Sequence, residues 1–211
     1  LASDRHCEIV ARVGRAESER GLSAAVLNGA QVAIEFSQPE TAVANAVACL
    51  RAHCPVVIGT TGWSESMGKL AETVAHNQCS ALWSPNFSLG VQLFLAVATE
   101  AARRFCKHRE FEAGIVETHH SAKKDAPSGT AIAVRDQLRE GGLPTVPITS
   151  IRLGSVPGTH EIVFDAPFEQ VRLTHEARDR RVFADGALVA ARWLAQTTTP
   201  GLYTMRDVIN S

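Results

Sequence analysis

No run of apolar residues approaches the ~20 needed to span a bilayer, and no charged-then-apolar leader precedes the first domain-like pattern. A soluble, cytoplasmic protein is therefore expected. Net charge is almost absent: 21 Lys and Arg stand against 22 Asp and Glu, a balance of -1. That removes the broad electrostatic reason to expect nucleic acid or a membrane surface, and makes a small molecule the expected partner. The five cysteines, Cys7, Cys49, Cys54, Cys79 and Cys106, are odd in number and scattered, with no CxxC pair and no His at zinc spacing. This argues against a disulfide framework or thiolate metal site, and they read as reduced packing thiols. Internal repeats and low-complexity segments are missing, as is any G-x-G-x-x-G.

At 211 residues the chain suits one large domain or two small ones. The first half alternates short apolar runs with amphipathic stretches, the pattern of a parallel sheet with crossover helices. Strands are expected at Glu8 to Val13, Val32 to Phe36, Val56 to Ile58 and Ala81 to Trp83. Ser37-Gln38-Pro39-Glu40 has the form of a capping box, and Val43, Val47 and Leu50 follow at helical spacing. Ser64 and Ser88 are expected to begin two further helices. Beyond about residue 110 the texture changes. Glu112 to Glu117, Ile148 to Leu153, His160 to Asp165 and Val171 to Glu176 read as strands of an antiparallel or mixed sheet. A helix is expected from Ser128 to Leu138, and a closing one from about Ala184 to Ala195.

Ligands of an open parallel sheet bind at the carboxyl ends of its strands, and small or polar loops recur there. They are Gly14-Arg15, Ser37-Gln38-Pro39, Gly59-Thr60-Thr61-Gly62 and Ser84-Pro85-Asn86-Phe87. Any one of them is explained by the needs of a turn; four together favour a mononucleotide or dinucleotide cleft. The run Glu8 to Val13 reads as the second strand of such a fold, which places the first strand and its glycine-rich turn before Leu1, in a segment missing from this chain. No carboxylate appears after that run until Glu17, whereas Arg15 would suit the 2′-phosphate of NADP, so NADPH is favoured over NADH.

The densest chemistry is Glu117-Thr118-His119-His120-Ser121-Ala122-Lys123-Lys124-Asp125-Ala126-Pro127-Ser128-Gly129-Thr130-Ala131. Adjacent histidines can donate or accept a proton near neutrality. Lys123 could serve as a proton donor or as the partner of a substrate carboxylate. Ser128, Gly129 and Thr130 open a helix whose unpaired N–H groups form an anion site. Two other readings of the histidines stand beside this one: core or interface residues satisfied by backbone, and metal ligands, for which a third ligand at suitable spacing is lacking. No metal is expected.

The run E-x-H-H-x-x-K-x-D-x-P-S-G-T-A resembles the signature of the dihydrodipicolinate reductases. Glu35 to Glu40, Gly59 to Gly62, Ser84 to Ser88, Arg152-x-Gly154 with Gly158-x-His160, and His175-x-Ala177-x-x-Arg180 with Phe183-Ala184-x-Gly186 are similar to further family elements in order. The family's G-x-x-G-R-M-G loop is missing, and the stretch from Ala16 to Ala30 is shorter than in many members.

The resemblance implies a Rossmann-like parallel-sheet nucleotide domain, without its first strand, over residues 1–87 and 184–211. It implies an α+β substrate-binding and tetramerisation domain with a mixed sheet over 88–183. The implied reaction is NADPH- or NADH-dependent reduction of the cyclic imine derived from 4-hydroxy-tetrahydrodipicolinate, in the diaminopimelate route to lysine. His119 and Lys123 are the implied catalytic residues, with His120, Ser128, Gly129, Thr130 and Arg180 on the substrate carboxylates. Arg15, Phe36, Ser37, Gly59, Thr60, Thr61, Ser84, Pro85, Asn86 and Phe87 are the implied cofactor contacts. A homotetramer is implied as well. Two rival readings are a nucleotide-binding or regulatory relative without catalysis, and a nicotinamide dehydrogenase of another small acidic metabolite.

Overall fold

The computed structural model describes residues 7–19 and 22–211. The chain divides into two compact units, one running to Ser88 and resuming at Phe183, the other covering Leu89–Val182.

The first unit is built on a parallel sheet of β1 (Ala33–Glu35), β2 (Val56–Ile58), β3 (Ala81–Trp83) and β8 (Leu202–Tyr203), in that order. Crossover helices α3 (Pro39–Arg51) and α4 (Met67–Asn77) link the first three strands, with a 3₁₀ turn at Ser64–Ser66 leading into α4. The strands are short apolar runs because helices cover both faces. On one face Ala42, Ala46 and Leu50 of α3 and Leu70 and Val74 of α4 pack with Val56, Ile58 and Ala81. On the other, Ala187, Ala190, Ala191 and Leu194 of α7 (Arg181–Gln196) pack with Val57, Leu82 and Phe87. The chain ends in α8 (Met205–Ile209), opened by a capping box of Thr204 and Asp207.

Two local expectations fail. Glu8 to Val13 is not a strand; it runs as irregular chain into α1 (Arg15–Glu19), with the short α2 (Ala24–Leu27) later in the chain, and Ile9, Val10 and Val13 are exposed. Alternating apolar residues make a strand only where a neighbour completes the hydrogen-bonded ladder, and among the described residues no strand pairs with this segment. Arg15 accordingly stands at a helix start rather than a strand end. The capping box at Ser37 does not form either. Gln38 occupies the N-cap without a side-chain bond and Pro39 begins α3, where its missing N–H costs nothing. The Ser37 hydroxyl instead donates to Glu35, with Thr41 and Asn45 also within reach.

The second unit is a mixed sheet in the order β5 (Ile148–Arg152), β4 (Glu112–His119), β6 (Thr159–Ala166), β7 (Glu169–Glu176). β4 is parallel to β5 and antiparallel to β6, and β6 and β7 form a hairpin. Helices α5 (Leu89–Phe105) and α6 (Gly129–Glu140) supply Phe94, Ala98, Ala102, Ala131, Val134 and Leu138 to a core with Ile115, Ile162 and Phe164. On the opposite face Thr149, Ile151, Arg172 and Thr174 are exposed.

Candidate functional site

Alternate residues of a strand share a face, so Ile115, Glu117 and His119 of β4 all point to the buried side. At Glu117 the apolar pattern gives way to charge. Register sets its neighbours: Ser150 of β5 on one side and His160 of β6 on the other, with His175 of β7 beyond His160 and Arg152 of β5 opposite His119. Glu117, fully buried, accepts a bond from Arg152 Nη2 at 2.8 Å on Oε1, while Oε2 is bonded to His119 Nδ1. The Ser128 N–H adds a third at 3.3 Å. Arg152 Nη2 also donates to the Asp125 carbonyl at 2.5 Å, which ties the signature loop to the sheet.

Burial alone would raise the Glu117 pKa. The bonds from Arg152, Ser150 and His119 outweigh it and hold the carboxyl at about 2. His119 is pushed below its ordinary value by burial, against an upward pull from Glu117, with Lys123 and Arg152 adding to the lowering. Its Nε2 lies beneath Gly158, where a Cβ would sit 2.9 Å away. Gly158 therefore keeps the second ring nitrogen from being capped by a side chain.

Ser128 is the N-cap of α6, as its spacing predicts: its hydroxyl accepts from the Ala131 N–H at 3.2 Å and lies 3.1 Å from His160 Nε2. Its own N–H is committed to Glu117, so that donor of the expected anion site is already in use. His160 is 4% exposed, and burial, joined by His119, His175 and Lys123 and opposed by Glu117, lowers its pKa to about 4.

A histidine kept neutral in the fold binds its proton more readily when unfolded. Its contribution is thus complete above about pH 6.5 and lost as the pH falls towards 4. At 1.36 kcal/mol per unit this amounts to about 3 kcal/mol. Denaturant unfolding at about pH 7 and about pH 4.5 should show a marked loss of stability in the wild type and a shallower one in His160→Gln. Equal slopes would contradict a neutral, buried His160.

Of the other signature residues, His120 and Arg180 line one open cavity of about 710 Å³ with Ser121, Gly154, Pro157 and Asp179. Gly129 and Thr130 form the first turn of α6. Lys123 lies beside Asp125, Nζ to Oδ1 at 2.8 Å. The donor atoms of Glu117, His119 and His160 lie within 4.8 Å of one another. This is a third ligand-type residue that spacing along the chain could not show. Each of the three is already hydrogen-bonded, and the Arg152 guanidinium sits on the carboxylate, so the group is a hydrogen-bonding cluster. Glu117, Arg152 and His160 were quoted above only as parts of motifs. The signal for Glu117 was a carboxylate two residues from His119 on an otherwise apolar strand face.

In the first unit, the loops after β1, β2 and β3 share one edge of the sheet. The Phe36 ring lies on Gly59, where any Cβ would overlap it, and is tilted on Phe87 at 5.8 Å. Phe36 is 55% exposed and Phe87 only 2%. Thr60 is fastened from three sides: its hydroxyl accepts the Ser37 N–H at 2.8 Å, and its carbonyl accepts the indoles of Trp63 at 2.6 Å and Trp83 at 3.3 Å. Ser84 is buried and donates to the Asn86 carbonyl at 2.7 Å, while the Asn86 side chain accepts the Ser88 N–H at 2.9 Å. Ser84, Asn86 and Phe87 thus shape the loop. Phe36 and Ser37 after β1, Thr61 after β2 and Pro85 after β3 are exposed.

A Rossmann-type parallel sheet whose loops leave an aromatic ring open, together with a separate mixed sheet carrying a buried acid–histidine pair, places the chain among two-unit proteins with a Rossmann-type domain. The comparisons narrow this class. Residues 2–87 match the family model described as dihydrodipicolinate reductase, N-terminus, and residues 90–209 match its C-terminus. The 4-hydroxy-tetrahydrodipicolinate reductase of Christiangramia forsetii is 36% identical over 191 residues, covering 85% of this chain and 79% of its own length. That of Thiobacillus denitrificans is 38% identical over 205 residues, covering 88% and 75%. A solved structure, the dipicolinate-bound dihydrodipicolinate reductase from Paenisporosarcina sp. TG-14, superposes with a TM-score of 0.72 at 25% identity, covering 85% of this chain and 73% of that one. The chain belongs to the dihydrodipicolinate reductase family, whose members are NAD(P)H-dependent oxidoreductases of diaminopimelate and lysine biosynthesis. No helix among the described residues is long and apolar enough to cross a membrane.

Proposed function

We propose that the second unit binds the cyclic imine dicarboxylate formed from 4-hydroxy-tetrahydrodipicolinate by loss of water and completes its reduction to tetrahydrodipicolinate. The observation that carries this reading is the buried Glu117–His119 pair on the strand that leads into His120, a residue of the open cavity it shares with Arg180. A dicarboxylate needs cations and N–H donors. Arg180, His120 and the first turn of α6, with Gly129 and Thr130, provide them in one unit, while Ser128, its own N–H on Glu117, caps that turn.

The residues at the sheet edge of the first unit suit a nicotinamide dinucleotide. The open Phe36 ring, seated on Gly59, offers a flat apolar surface, and Thr61 is exposed on the loop that carries Gly59. Phe36, Ser37, Gly59, Thr60, Thr61 and Pro85 would hold it, with Ser84, Asn86 and Phe87 setting their loop. When bound, the reduced nicotinamide supplies a hydride to a ring carbon of the conjugated imine.

His119 supplies the balancing proton, so that the substrate gains two hydrogens in all, and Lys123 is the second candidate donor. General acid assistance of this kind is worth ~10²–10⁴ in rate. Lys123 must exchange Asp125 for the substrate to take part, and Asp125, its own pKa lowered by that bond, holds the ammonium ready meanwhile.

Dipicolinate, present in the related structure, is the probe for the site. Calorimetric titration should show binding to the wild type and a loss of at least about tenfold in Arg180→Ala, about 1.4 kcal/mol. Unchanged affinity would remove Arg180 from the carboxylate site. NADPH is the preferred donor in this reading, with Arg15, at the start of α1 rather than the end of a strand, as the candidate for its 2′-phosphate. Arg15→Ala should weaken NADPH about tenfold or more and NADH less than about twofold, and equal weakening would show that Arg15 is no 2′-phosphate ligand. The protein acts in the cytoplasm as a homotetramer joined through the exposed face of the second unit's sheet. Its mass by light scattering should then be about four times the 22.7 kDa of one chain.

A further inference from the structure

We propose that Glu117, ion-paired with Arg152, is a positioning residue for His119, accepting the Nδ1 proton so that the exchangeable proton of the imidazolium is carried on Nε2. The geometry of three strands converges on this arrangement. Glu117 and His119 lie two residues apart on the buried face of β4, and Oε2 of the carboxylate meets Nδ1 of the ring. Oε1 is taken by Arg152 of β5 at 2.8 Å and the Ser128 N–H at 3.3 Å. The carboxylate therefore has no freedom to swing towards the substrate and act as an acid itself. The same contacts make it ionised, an acceptor only, and an acceptor at Nδ1 fixes the tautomer of a neutral imidazole. Nε2 is left at Gly158, the position where any Cβ would crowd it.

The proton balance follows. The imidazolium holds protons on both nitrogens, Nε2 gives its proton to the substrate, and the neutral ring retains Nδ1–H on Glu117. The charged groups around the ring act in opposite senses: Glu117 favours the imidazolium, while Lys123 of the signature loop and Arg152 of β5 disfavour it. On β6, His160 stacks edge-on against the ring at 5.1 Å, with His175 of β7 beyond it. Both are held neutral by burial. Glu117 is thus the anion that opposes the lowering of His119 by burial and favours its protonated form.

The link to turnover rests on the reductase reading, but the tautomer does not. The test is nitrogen-15 NMR of the histidine side chains in the full chain, with kinetics alongside. Neutral His119 is expected with its proton on Nδ1. In Glu117→Gln its titration should move down by about one pH unit or more. In the reductase assay the same variant should lose about 10- to 100-fold in kcat with KM within about threefold. In a His119→Gln background, the added loss should be less than about twofold, because a residue that acts through another has no effect once that one is gone. A wild-type His119 protonated on Nε2 overturns the proposal without any variant. So does an unshifted titration in Glu117→Gln, or additive losses in the double variant. A wild-type chain that shows the Nδ1 tautomer but no turnover would refute the reductase reading and leave the positioning role standing.

Discussion

His119→Gln is expected to lower kcat by about 10²–10⁴ while leaving KM within about threefold. The side chain is nearly isosteric and keeps a polar group against Glu117, so the fold and the cavity beside it should survive. What is lost is a ring nitrogen able to hold and release a proton. Because that proton is needed only as negative charge develops on the substrate, the loss falls on turnover rather than on binding. His119 is 8% exposed, and its Nδ1 is committed to a buried carboxylate, so a water molecule could not take its place without disturbing the cluster. Steady-state kinetics decide the matter: an unchanged kcat removes His119 from the reaction, and a rise in KM alone would make it a binding residue.

Gly186→Ala should have the largest effect on stability outside the site. Gly186 lies in α7 on the face that carries Ala187, Ala190 and Ala191 into the core with Phe87. A Cβ there would overlap the Phe87 carbonyl oxygen and lie 2.7 Å from its carbon. Backbone cannot rotate away as a side chain can, so the helix or the loop after β3 must shift. Overpacking of this kind costs about 3 kcal/mol, which for a chain of this size lowers Tm by about 10 °C. Gly68 in α4 is the control. Nothing lies within 4 Å of its Cβ position, and Gly68→Ala should be neutral or stabilising by up to about 1 kcal/mol, since alanine is the better helix former. Thermal unfolding of the two variants tests the pair, and equal Tm values would contradict the close approach of α7 to that loop.

Strands β1, β2 and β3 of the parallel sheet could be read from the sequence because each is a short apolar run bounded by turn residues. The helices between them carried their own stripe and, at Ser128, their own cap. Glu8 to Val13 misled because periodicity describes a face and not the partner that must hydrogen-bond to it. Ser37 misled because its hydroxyl had a nearer acceptor in Glu35, on the strand before, than the helix N–H groups after it. β8 was missed because two residues paired to β3 have no period to detect. The capping box of Thr204 and Asp207 was a legible start for α8 that went unread.

In the site, His119, Ser128 and Lys123 stood out as residue types in a dense motif. The assembly of Glu117, Arg152 and His160 did not, because it depends on the register of strands about 35 to 45 residues apart in sequence. Nothing in local spacing fixes that register, although the interruption of an apolar strand face by Glu117 marked where to look.

The most direct test of the central claim is the loss of NADPH or NADH absorbance by the chain supplied with 4-hydroxy-tetrahydrodipicolinate, generated in situ from pyruvate and aspartate semialdehyde. Oxidation of the cofactor is expected to depend on both condensation partners and to fall with His119→Gln. A folded chain that binds cofactor and dipicolinate, yet oxidises neither NADPH nor NADH with this substrate, would contradict that claim.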